Sequence, residues 1–520
     1  MSSFLLIISF PKFDVEIVVW FSLVPIFLAV KDVSHRLYWF LFYLFGIVSY
    51  IGVSFWLNVL ESFTPIDFLL LGIYLGFYFS LYGLMMSFIS KRTQISSVFV
   101  APPIWVSMEY LRSHAGFLAL PWGLLGHSQY LNLPIIQIAS VTGVYGISFM
   151  IVMVNAALSE VMWNLKERNT VSAIPKNLYK HVPVVMAFLF IGVSILYGYV
   201  TLAKPPGKDK VTVTVIQGNI PQGIKWDPAY RKYTIDKYAR LTLDAHSSFE
   251  GKTSLIAWPE STIPGSLKSD MFFLQAIDNI VNKINTNLLI GSAQRPKMGS
   301  REFRRQNWFN SAFLFSPKGV IEEQYDKIHL LPFGEYLPYR DKFPWPERIA
   351  SKADYFIPGN KHTIFNLDGA KFSVLICWES LFPELARESV KEGAQFLVNM
   401  SNEAWFGETA APYQFLSMNV FRAVENRVYL IRSVNTGISC FIDASGEIIG
   451  AVRKGEKEIF VEGYLTKEIS LSREKTFYTV YGDLFAYGNI ILTICLFLMA
   501  LRGQGDTFRF SMFRRSRRDR

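Results

Sequence analysis

The sequence predicts a multi-span α-helical membrane domain joined to a separate α/β domain. Two observations favour the membrane domain: 51% of the 520 residues are hydrophobic and only 18% are charged, and the apolar residues concentrate towards the two ends of the chain in long uninterrupted runs. A third observation concerns residues 211–470, where short strand-like runs alternate with helical stretches. That alternation is typical of an α/β fold.

Six apolar stretches in the N-terminal domain, residues 1–203, are long enough to cross a bilayer. They lie at 15–30, 37–57, 67–89, 95–112, 133–158 and 181–203. A further stretch at 484–501 predicts a C-terminal transmembrane helix, followed by a basic tail at 502–520. The apolar segment 1–10 is too short to cross and lacks the features of a cleaved signal peptide; part of a truncated first helix is one interpretation, and the sequence does not settle it.

The connecting segment 113–132 is apolar and contains Pro and Gly breaks. This composition is typical either of a re-entrant or interfacial segment or of an ordinary loop lying against the membrane, and the sequence does not separate the two.

Basic residues cluster in four segments that flank the predicted spans, at 31–36, 91–92, 166–180 and 502–520. Placing all four on the cytoplasmic side satisfies the positive-inside rule with a single alternating path. Residues 204–483 then lie outside the cytoplasm. Membrane topology therefore explains the net charge of +10, and we expect no nucleic-acid partner.

Eight short apolar runs between residues 211 and 470 predict β-strands. They are VTVTVIQGNI, SLIAWPE, NLLIGSAQ, WFNSAFLFS, FSVLICWE, QFLVNMSN, YLIRSVNTGIS and CFIDASGEIIG. Stretches between them predict helices at 230–247, 271–283, 381–391 and 412–428. Strands that alternate with helices predict sheets with covered faces, and the length suits one domain.

Three residues of this domain carry the chemistry of an acyl-transferring thiol enzyme. Cys377 ends an apolar run and is one of only three cysteines, so a disulfide framework is not indicated. A thiol needs a base to become a nucleophile, and Glu260 in LIAWPEST supplies a carboxylate. Lys327 in YDKIHLLPF supplies a charge for an oxyanion. Taken singly, each residue is more typical of a buried thiol or a solvated charge; the combination indicates catalysis.

Two further carboxylates belong to this set. Glu335 follows Lys327 by eight residues, and Glu379 follows Cys377 by two. Either could hold the lysine or orient the base, and structural ion pairing is an equally good interpretation. No Cys/His spacing matches zinc and no phosphate-binding glycine motif is present, so we expect no metal and no cofactor.

Several segments together carry a family resemblance. They are VIQGNIPQGIKWD, LIAWPESTIP, YDKIHLLPFGEYLP, ICWES, SNEAWFG and RSVNTGIS. In this order, and beside several membrane helices, they resemble the bacterial apolipoprotein N-acyltransferases of the nitrilase (carbon–nitrogen hydrolase) superfamily. The resemblance covers essentially the whole chain. It implies a nitrilase-like αββα sandwich on the periplasmic side of the bacterial inner membrane, in a multi-pass protein that acts as a monomer.

The resemblance also implies a two-step reaction. Cys377 would take an acyl chain from a phospholipid as a thioester, Glu260 would be the general base, and Lys327 would stabilise the oxyanion. The acceptor would be the α-amino group of a diacylglyceryl-cysteine at the N-terminus of an apolipoprotein. Other positions would support the triad or bind substrate: Glu335 and Glu379 as supporting residues, and Trp226, Trp378 and Asn310 as substrate-binding residues. The chain departs from the family pattern at Trp378, where Tyr is frequent, and at Glu403, where Asp is common.

Two other functions use some of the same features. A membrane-anchored nitrilase-type amidase would use the same triad with water as the acceptor, but simple amidases of this superfamily are soluble, which disfavours it. A transporter or receptor with an external domain predicts ionisable residues inside the spans. The stretches 37–57 and 181–203 contain no Asp, Glu, Lys or Arg, which disfavours that interpretation.

Overall fold

A computed structural model describes residues 1–60, 63–93, 95–168, 182–296, 298–300, 307–351, 353 and 355–516, without the side chains at 167, 168, 348 and 503–516. The chain forms two compact units, Met1–Leu202 with Asp483–Arg520, and Ala203–Gly482. Most of the predicted basic segment 166–180, and the end of the tail at 517–520, lie outside the described residues.

The first unit is helical. Its N-terminal part contains α1 (Ser2–Ile8), α2 (Val19–Ser22), α3 (Val24–Ala29), α4 (His35–Val53), α5 (Pro65–Arg92), α6 (Ser97–Ser113), α7 (Leu133–Ile136), α8 (Ala139–Thr142), α9 (Val144–Arg168) and α10 (Val182–Leu202). The C-terminal helix, Leu484–Ser516, completes the unit. Five of its helices are long and apolar enough to cross a membrane: His35–Val53, Pro65–Arg92, Val144–Lys166, Val182–Leu202 and Leu484–Arg502.

Two of the predicted spans take a different form in the structure. The stretch 15–30 is broken into short helices at Leu23, whose backbone N–H donates to Oδ1 of Asn155 at 2.7 Å. The Asn155 side chain also donates to the Val19 carbonyl at 2.9 Å, so side-chain bonds replace helical ones there. The stretch 133–158 is interrupted at Gly143, which has φ +64°. The long helix therefore begins at Val144.

The apolar segment 113–132 packs into the helical unit. Its 3-10 turn at Leu125–Gln129 is buried throughout. The buried Glu109 carboxylate accepts the N–H of Leu125 at 2.7 Å, and the Arg112 guanidinium donates to the Trp122 carbonyl at 2.8 Å. Two charged side chains of α6 thus satisfy backbone groups that the irregular segment leaves unpaired.

The second unit contains thirteen described strands in two sheets. They are β1 (Lys210–Gln217), β2 (Leu255–Ala257), β3 (Ile263–Ser266), β4 (Asn287–Gln294), β5 (Phe309–Phe315), β6 (Ile321–Asp326), β7 (Phe365–Leu367), β8 (Ala370–Ile376), β9 (Phe396–Ser401), β10 (Tyr429–Val434), β11 (Cys440–Ile442), β12 (Ile448–Ala451) and β13 (Gly463–Ser470). The first sheet has the order β13-β1-β2-β4-β5-β6, with β3 paired to β4, and the second has the order β12-β11-β10-β9-β8-β7.

Helices cover both sheets. They are α11 (Gln222–Lys225), α12 (Arg231–Ser248), α13 (Met271–Ile284), α14 (Glu347–Ala350), α15 (Pro383–Lys391), α16 (Ala411–Asn426) and α17 (Phe477–Tyr481). One apolar core lies between the sheets and includes Val215 and Val374. A second core packs α12 and α13 against the first sheet through Tyr238, Ile277 and Trp258. With α15 and α16 against the second sheet, the layers are αββα, and the fold class expected from the sequence is confirmed.

All eight predicted runs contain strands, and the four predicted helices are present as α12, α13, α15 and α16. Four strands are missing from the sequence analysis: β3, β6, β7 and β13. The most consequential is β6, whose sequence IEEQYD has exposed charges at Glu322 and Glu323. Because β6 lies at the edge of its sheet, it does not show the buried apolar pattern that identifies central strands.

Candidate active site

The three candidate catalytic residues each follow the end of a strand. Glu260 comes three residues after β2, Lys327 directly follows β6, and Cys377 directly follows β8. The parallel pairing of β2 with β1 and β4, and of β8 with β9, brings the carboxyl ends of these strands to one edge of each sheet. Strand ends of this kind are where α/β folds place their sites.

Cys377 has an unusual backbone. Its φ is +54°, a left-handed conformation that non-glycine residues adopt rarely and that is typical of functional positions. The carbonyl of Cys377 accepts a hydrogen bond from Nδ2 of Asn399 at 3.2 Å and another from Oγ of Ser380 at 3.2 Å. The turn exposes the cysteine partly, although Ile376 and Trp378 on either side are buried.

The surroundings keep the thiol protonated. Burial and the nearby carboxylate of Glu260 raise the pKa of Cys377 well above the ordinary range, and the ammonium of Lys327 opposes this only in part. To act as a nucleophile, such a thiol requires a base that removes its proton.

Glu260 is held so that it can act as that base. It is 7% exposed. One carboxylate oxygen accepts Nδ2 of Asn310 at 2.8 Å, and the other accepts the backbone N–H of Asn402 at 2.8 Å. The oxygen that accepts from Asn310, Oε1 of Glu260, lies 3.8 Å from Nζ of Lys327. Hydrogen bonds to both oxygens fix the orientation of the carboxylate.

Lys327 is 1% exposed and is paired with two carboxylates. Its Nζ donates to Oε1 of Glu335 at 2.8 Å. Burial lowers the pKa of Lys327, but the negative charges of Glu335 and Glu260, and of Cys377 when it is ionised, outweigh burial and raise it above the ordinary range. The ammonium is therefore permanently charged at neutral pH.

Asn310 and Glu335 connect the triad. Nδ2 of Asn310 donates to Glu260 at 2.8 Å and to Oε1 of Glu335 at 3.0 Å. The other oxygen of Glu335 accepts the N–H of Leu331 at 2.7 Å. The Asn310 carbonyl also accepts the backbone N–H of Lys327 at 2.8 Å. The family resemblance assigns Asn310 to substrate binding. In the structure its side chain lies between the carboxylates of Glu260 and Glu335.

Glu379 joins the segment that follows β6 to the turn that contains Cys377. It is fully buried. Oε1 accepts the hydroxyl of Tyr325 at 2.8 Å and the backbone N–H groups of Ile328 and His329 at 2.7 and 3.0 Å. Oε2 accepts the N–H of Ile376 at 2.7 Å. Burial raises the pKa of Glu379 to about 7, against the effect of Lys327 and of these hydrogen bonds.

The two predicted aromatic positions differ in their surroundings. Trp378 is 8% exposed, and its ring meets Phe382 edge to face at a centroid distance of 5.1 Å. Trp226, at the end of α11, is 45% exposed. Trp378, next to Cys377 in the sequence, is thus packed in the interior, whereas Trp226 exposes an apolar ring.

Sequence reasoning missed two polar residues of the site. Lys225 is 3% exposed and donates to the backbone carbonyl of Glu260 at 3.1 Å, while Asn402 orients the Glu260 carboxylate. Lys225 adjoins Trp226, which the family resemblance identifies, and Asn402 lies in SNEAWFG. The sequence therefore indicates the segments that contain these two residues, but it does not indicate which side chains of those segments turn into the site.

This arrangement is suited to acyl transfer through a covalent intermediate. A thiol, an oriented carboxylate and a fixed ammonium are the nucleophile, base and oxyanion stabiliser of such a reaction. Among the residues that the structure describes, no group of three His, Cys, Asp or Glu side chains could hold a metal ion.

Two protein families match the chain. The carbon-nitrogen hydrolase family matches residues 212–477, and the apolipoprotein N-acyltransferase N-terminal domain matches residues 2–157. Together they account for both the α/β unit and most of the helical part that precedes it.

Named relatives resemble the chain over nearly its whole length. It is 35% identical over 511 residues to the apolipoprotein N-acyltransferase of Geobacter metallireducens, covering 96% of this chain and 94% of that protein. It is 28% identical over 519 residues to the apolipoprotein N-acyltransferase of Pasteurella multocida, covering 98% and 94%. Among solved structures, Saccharomyces cerevisiae Nit3, a member of branch 10 of the nitrilase superfamily, matches with a TM-score of 0.38 and 20% identity, covering 52% of this chain and 93% of that one.

The family predicted from the motifs is thus confirmed, as is the assignment to an acyltransferase with a nitrilase-like domain. The chain belongs to the apolipoprotein N-acyltransferase family.

Proposed function

We propose that this enzyme moves an acyl chain from a phospholipid to the α-amino group of a diacylglyceryl-cysteine at the N-terminus of an apolipoprotein. The observation that carries the proposal is the arrangement of the site. Cys377 follows one strand, and Oε1 of Glu260 lies 3.8 Å from Nζ of Lys327 beyond the ends of two other strands. Family membership supports the acceptor.

In the first step, Glu260 takes the proton of the Cys377 thiol while the sulfur attacks the ester carbonyl of the phospholipid. The resulting oxyanion is stabilised by the positive charge of Lys327. The intermediate collapses, the carbon–oxygen bond breaks, and Glu260 returns the proton to the leaving oxygen. The products are a lysophospholipid and a thioester on Cys377.

In the second step, the free amine of the acceptor attacks the thioester carbonyl. Glu260 takes a proton from the nitrogen, the carbon–sulfur bond breaks, and the thiolate regains the proton. The product is an amide, and the enzyme returns to its starting state. Glu335 and Asn310 keep the charges of the triad in place through both steps, and Glu379 fixes the two backbone segments.

The proposal includes a location and a quaternary state. The four basic segments are best placed in the cytoplasm, so residues 204–483 act on the periplasmic side of the inner membrane. A phospholipid donor resides in the bilayer, and burying an acyl chain is favourable by about 0.8 kcal/mol per methylene, which supports a site at the membrane surface. The quaternary state that we propose is a monomer.

The test is an acyl-adduct assay. Purified enzyme incubated with phospholipid vesicles alone should gain the mass of one acyl chain, and hydroxylamine should remove it. Cys377→Ala should gain no such mass, whereas Cys440→Ala and Cys495→Ala should behave as wild type. An adduct that survives in Cys377→Ala, or wild-type enzyme that never forms one, contradicts the thioester. Hydrolysis of small amides by an enzyme that forms no adduct from phospholipid would favour the amidase alternative.

A further inference from the structure

A second lysine, Lys225, reaches the site from the short helix α11. It is 3% exposed, and its Nζ donates to the backbone carbonyl of Glu260 at 3.1 Å. Within the described part of the chain this is its one hydrogen bond, and no carboxylate lies within ion-pair distance of it. A buried ammonium without a counter-ion is costly, so its place beside a candidate base requires an explanation.

Helix α11 is fixed to the same strand ends as the base. Oε1 of Gln222 accepts Nδ2 of Asn402 at 2.9 Å, and the backbone N–H of Asn402 donates to Oε2 of Glu260 at 2.8 Å. Lys225 thus donates to the backbone carbonyl of Glu260, while Asn402 donates to the carboxylate of the same residue. These contacts fix the position of the Lys225 ammonium in the site.

The charges of the site explain what Lys225 adds. Lys327 is shared by the carboxylates of Glu335 and Glu260 at 2.8 and 3.8 Å, so these three groups together are net negative. A thiolate or an oxyanion adds a further negative charge. Lys225 interacts electrostatically with both Glu260 and Cys377, and its charge brings the resting site to neutrality.

We propose that Lys225 is a positioning residue for the thioester chemistry: its ammonium, which forms no direct ion pair, offsets the field of the Glu260 carboxylate, so that Cys377 can carry negative charge. The acyl-transfer part of this inference rests on the proposed function. Burial lowers the pKa of Lys225 to about 8, so the side chain is still cationic at neutral pH. The other charged groups that act on Cys377 are Glu260, Lys327 and Glu335.

The experiment measures how fast iodoacetamide alkylates Cys377, resolved by peptide mass, as a function of pH. Lys225→Gln retains a hydrogen-bond donor for the Glu260 carbonyl but has no charge, and Lys225→Arg retains both. We expect Lys225→Gln to react about tenfold more slowly at pH 7, and the two rates to converge above about pH 8, where Lys225 of the wild type loses its own proton. Lys225→Arg should stay within about threefold of wild type at pH 7 and should react faster than wild type above about pH 8, because a guanidinium remains charged at every pH used whereas Lys225 does not.

A thermal melt of each variant separates this effect from damage to the fold. If Lys225→Gln melts as wild type and alkylates as wild type, Lys225 only holds the backbone of Glu260, and the proposal is wrong. If Lys225→Gln is unstable, the comparison of Lys225→Arg with wild type decides: equal rates at pH 7 with faster alkylation of Lys225→Arg above about pH 8, where Lys225 is neutral, support the proposal, and equal rates at every pH overturn it.

Alkylation needs no lipid, so the two proposals fail separately. Slower alkylation of Lys225→Gln at pH 7, together with no acyl adduct from phospholipid in wild type, would keep the role of Lys225 and overturn the donor. An adduct in wild type with an unchanged alkylation rate in Lys225→Gln would do the reverse.

Discussion

Glu260 affects Cys377 in two opposite ways. In the proposed reaction it is the base that removes the proton of the thiol, but as a nearby negative charge it raises the pKa of that thiol. These effects separate in the Glu260→Gln variant. We predict that iodoacetamide alkylates Cys377 in Glu260→Gln about tenfold faster than in wild type at pH 7, since the opposing charge is gone. The acyl adduct should form at least about 100-fold more slowly, since the base is gone.

The matched control is Glu322→Gln, which removes an exposed carboxylate on β6. It should change neither rate. Parallel losses of alkylation and acylation in Glu260→Gln would mean that Glu260 shapes the site without acting as a base.

Glu379 is a structural residue whose removal should be felt in stability as well as in activity. Its carboxylate accepts four hydrogen bonds. A glutamine can accept with only one atom and turns its NH₂ group towards buried donors. We predict that Glu379→Gln loses about 3 kcal/mol of unfolding free energy, measured by urea titration of tryptophan fluorescence in detergent. The Glu322→Gln variant should lie within about 0.5 kcal/mol of wild type.

At the scale of elements, the close approach of β4 to the turn after β2 determines where Glu260 sits. A Cβ added at Gly291 would lie 2.5 Å from the carbonyl oxygen of Pro259 and 2.7 Å from Cα of Glu260. Both neighbours are backbone, so the turn must move. This explains why a glycine interrupts the otherwise apolar strand NLLIGSAQ.

We therefore predict that Gly291→Ala folds but forms the acyl adduct at least about tenfold more slowly, since a small misplacement of a catalytic group has a large effect on rate. The adduct assay measures it, with circular dichroism to show that the fold is retained. Gly488→Ala, where no atom lies within 4 Å of the added Cβ, is the control. Wild-type rates in Gly291→Ala would show that the turn tolerates displacement.

Helices α4 and α5 approach each other through small residues. A Cβ on Gly76 would lie 2.6 Å from Cγ1 of Ile47, and one on Gly83 would lie 2.7 Å from Cβ of Phe42. Small residues at such interfaces allow close van der Waals packing of helices in membranes.

Gly76→Ala should accordingly lower the thermal midpoint of the helical unit in detergent, by an amount that corresponds to about 1–3 kcal/mol of overpacking. Gly192→Ala in α10, which meets nothing within 4 Å, should not lower it. Equal midpoints for the two variants would show that α4 and α5 adjust without cost.

At the scale of the whole molecule, the sequence predicts those features that depend on a local apolar periodicity or on a contiguous motif. The eight strand-like runs, the four helices of the α/β unit and the family are confirmed because each rests on a local apolar pattern or a contiguous motif. Positions 15–30 and 133–158 differ from prediction because Asn155 and Gly143 act there through long-range bonds and backbone conformation. A hydropathy profile shows neither the hydrogen bonds of Asn155 nor the backbone conformation of Gly143.

The same limit applies to the site. Residue type and family resemblance point to the triad, but the bridging position of Asn310 depends on the pairing of β5 with β4. The inward turn of Lys225 beside an outward Trp226 depends on how α11 docks through Gln222 and Asn402. Such facts come from tertiary contacts between distant segments, and no single-sequence pattern contains them.

The account as a whole requires one cysteine to carry the acyl chain between two substrates. The most direct measurement is a single-turnover transfer. Acyl-enzyme formed from phospholipid is freed of lipid and mixed with a peptide that begins with diacylglyceryl-cysteine, and both masses are followed in time. The same peptide with an acetylated amine is the control.

The account predicts that the adduct on Cys377 disappears at the rate at which the free-amine peptide gains an amide-linked acyl chain, and that the acetylated peptide leaves the adduct intact. Acyl transfer to the peptide without loss of the adduct, or loss of the adduct to water at the same rate with either peptide, would contradict it.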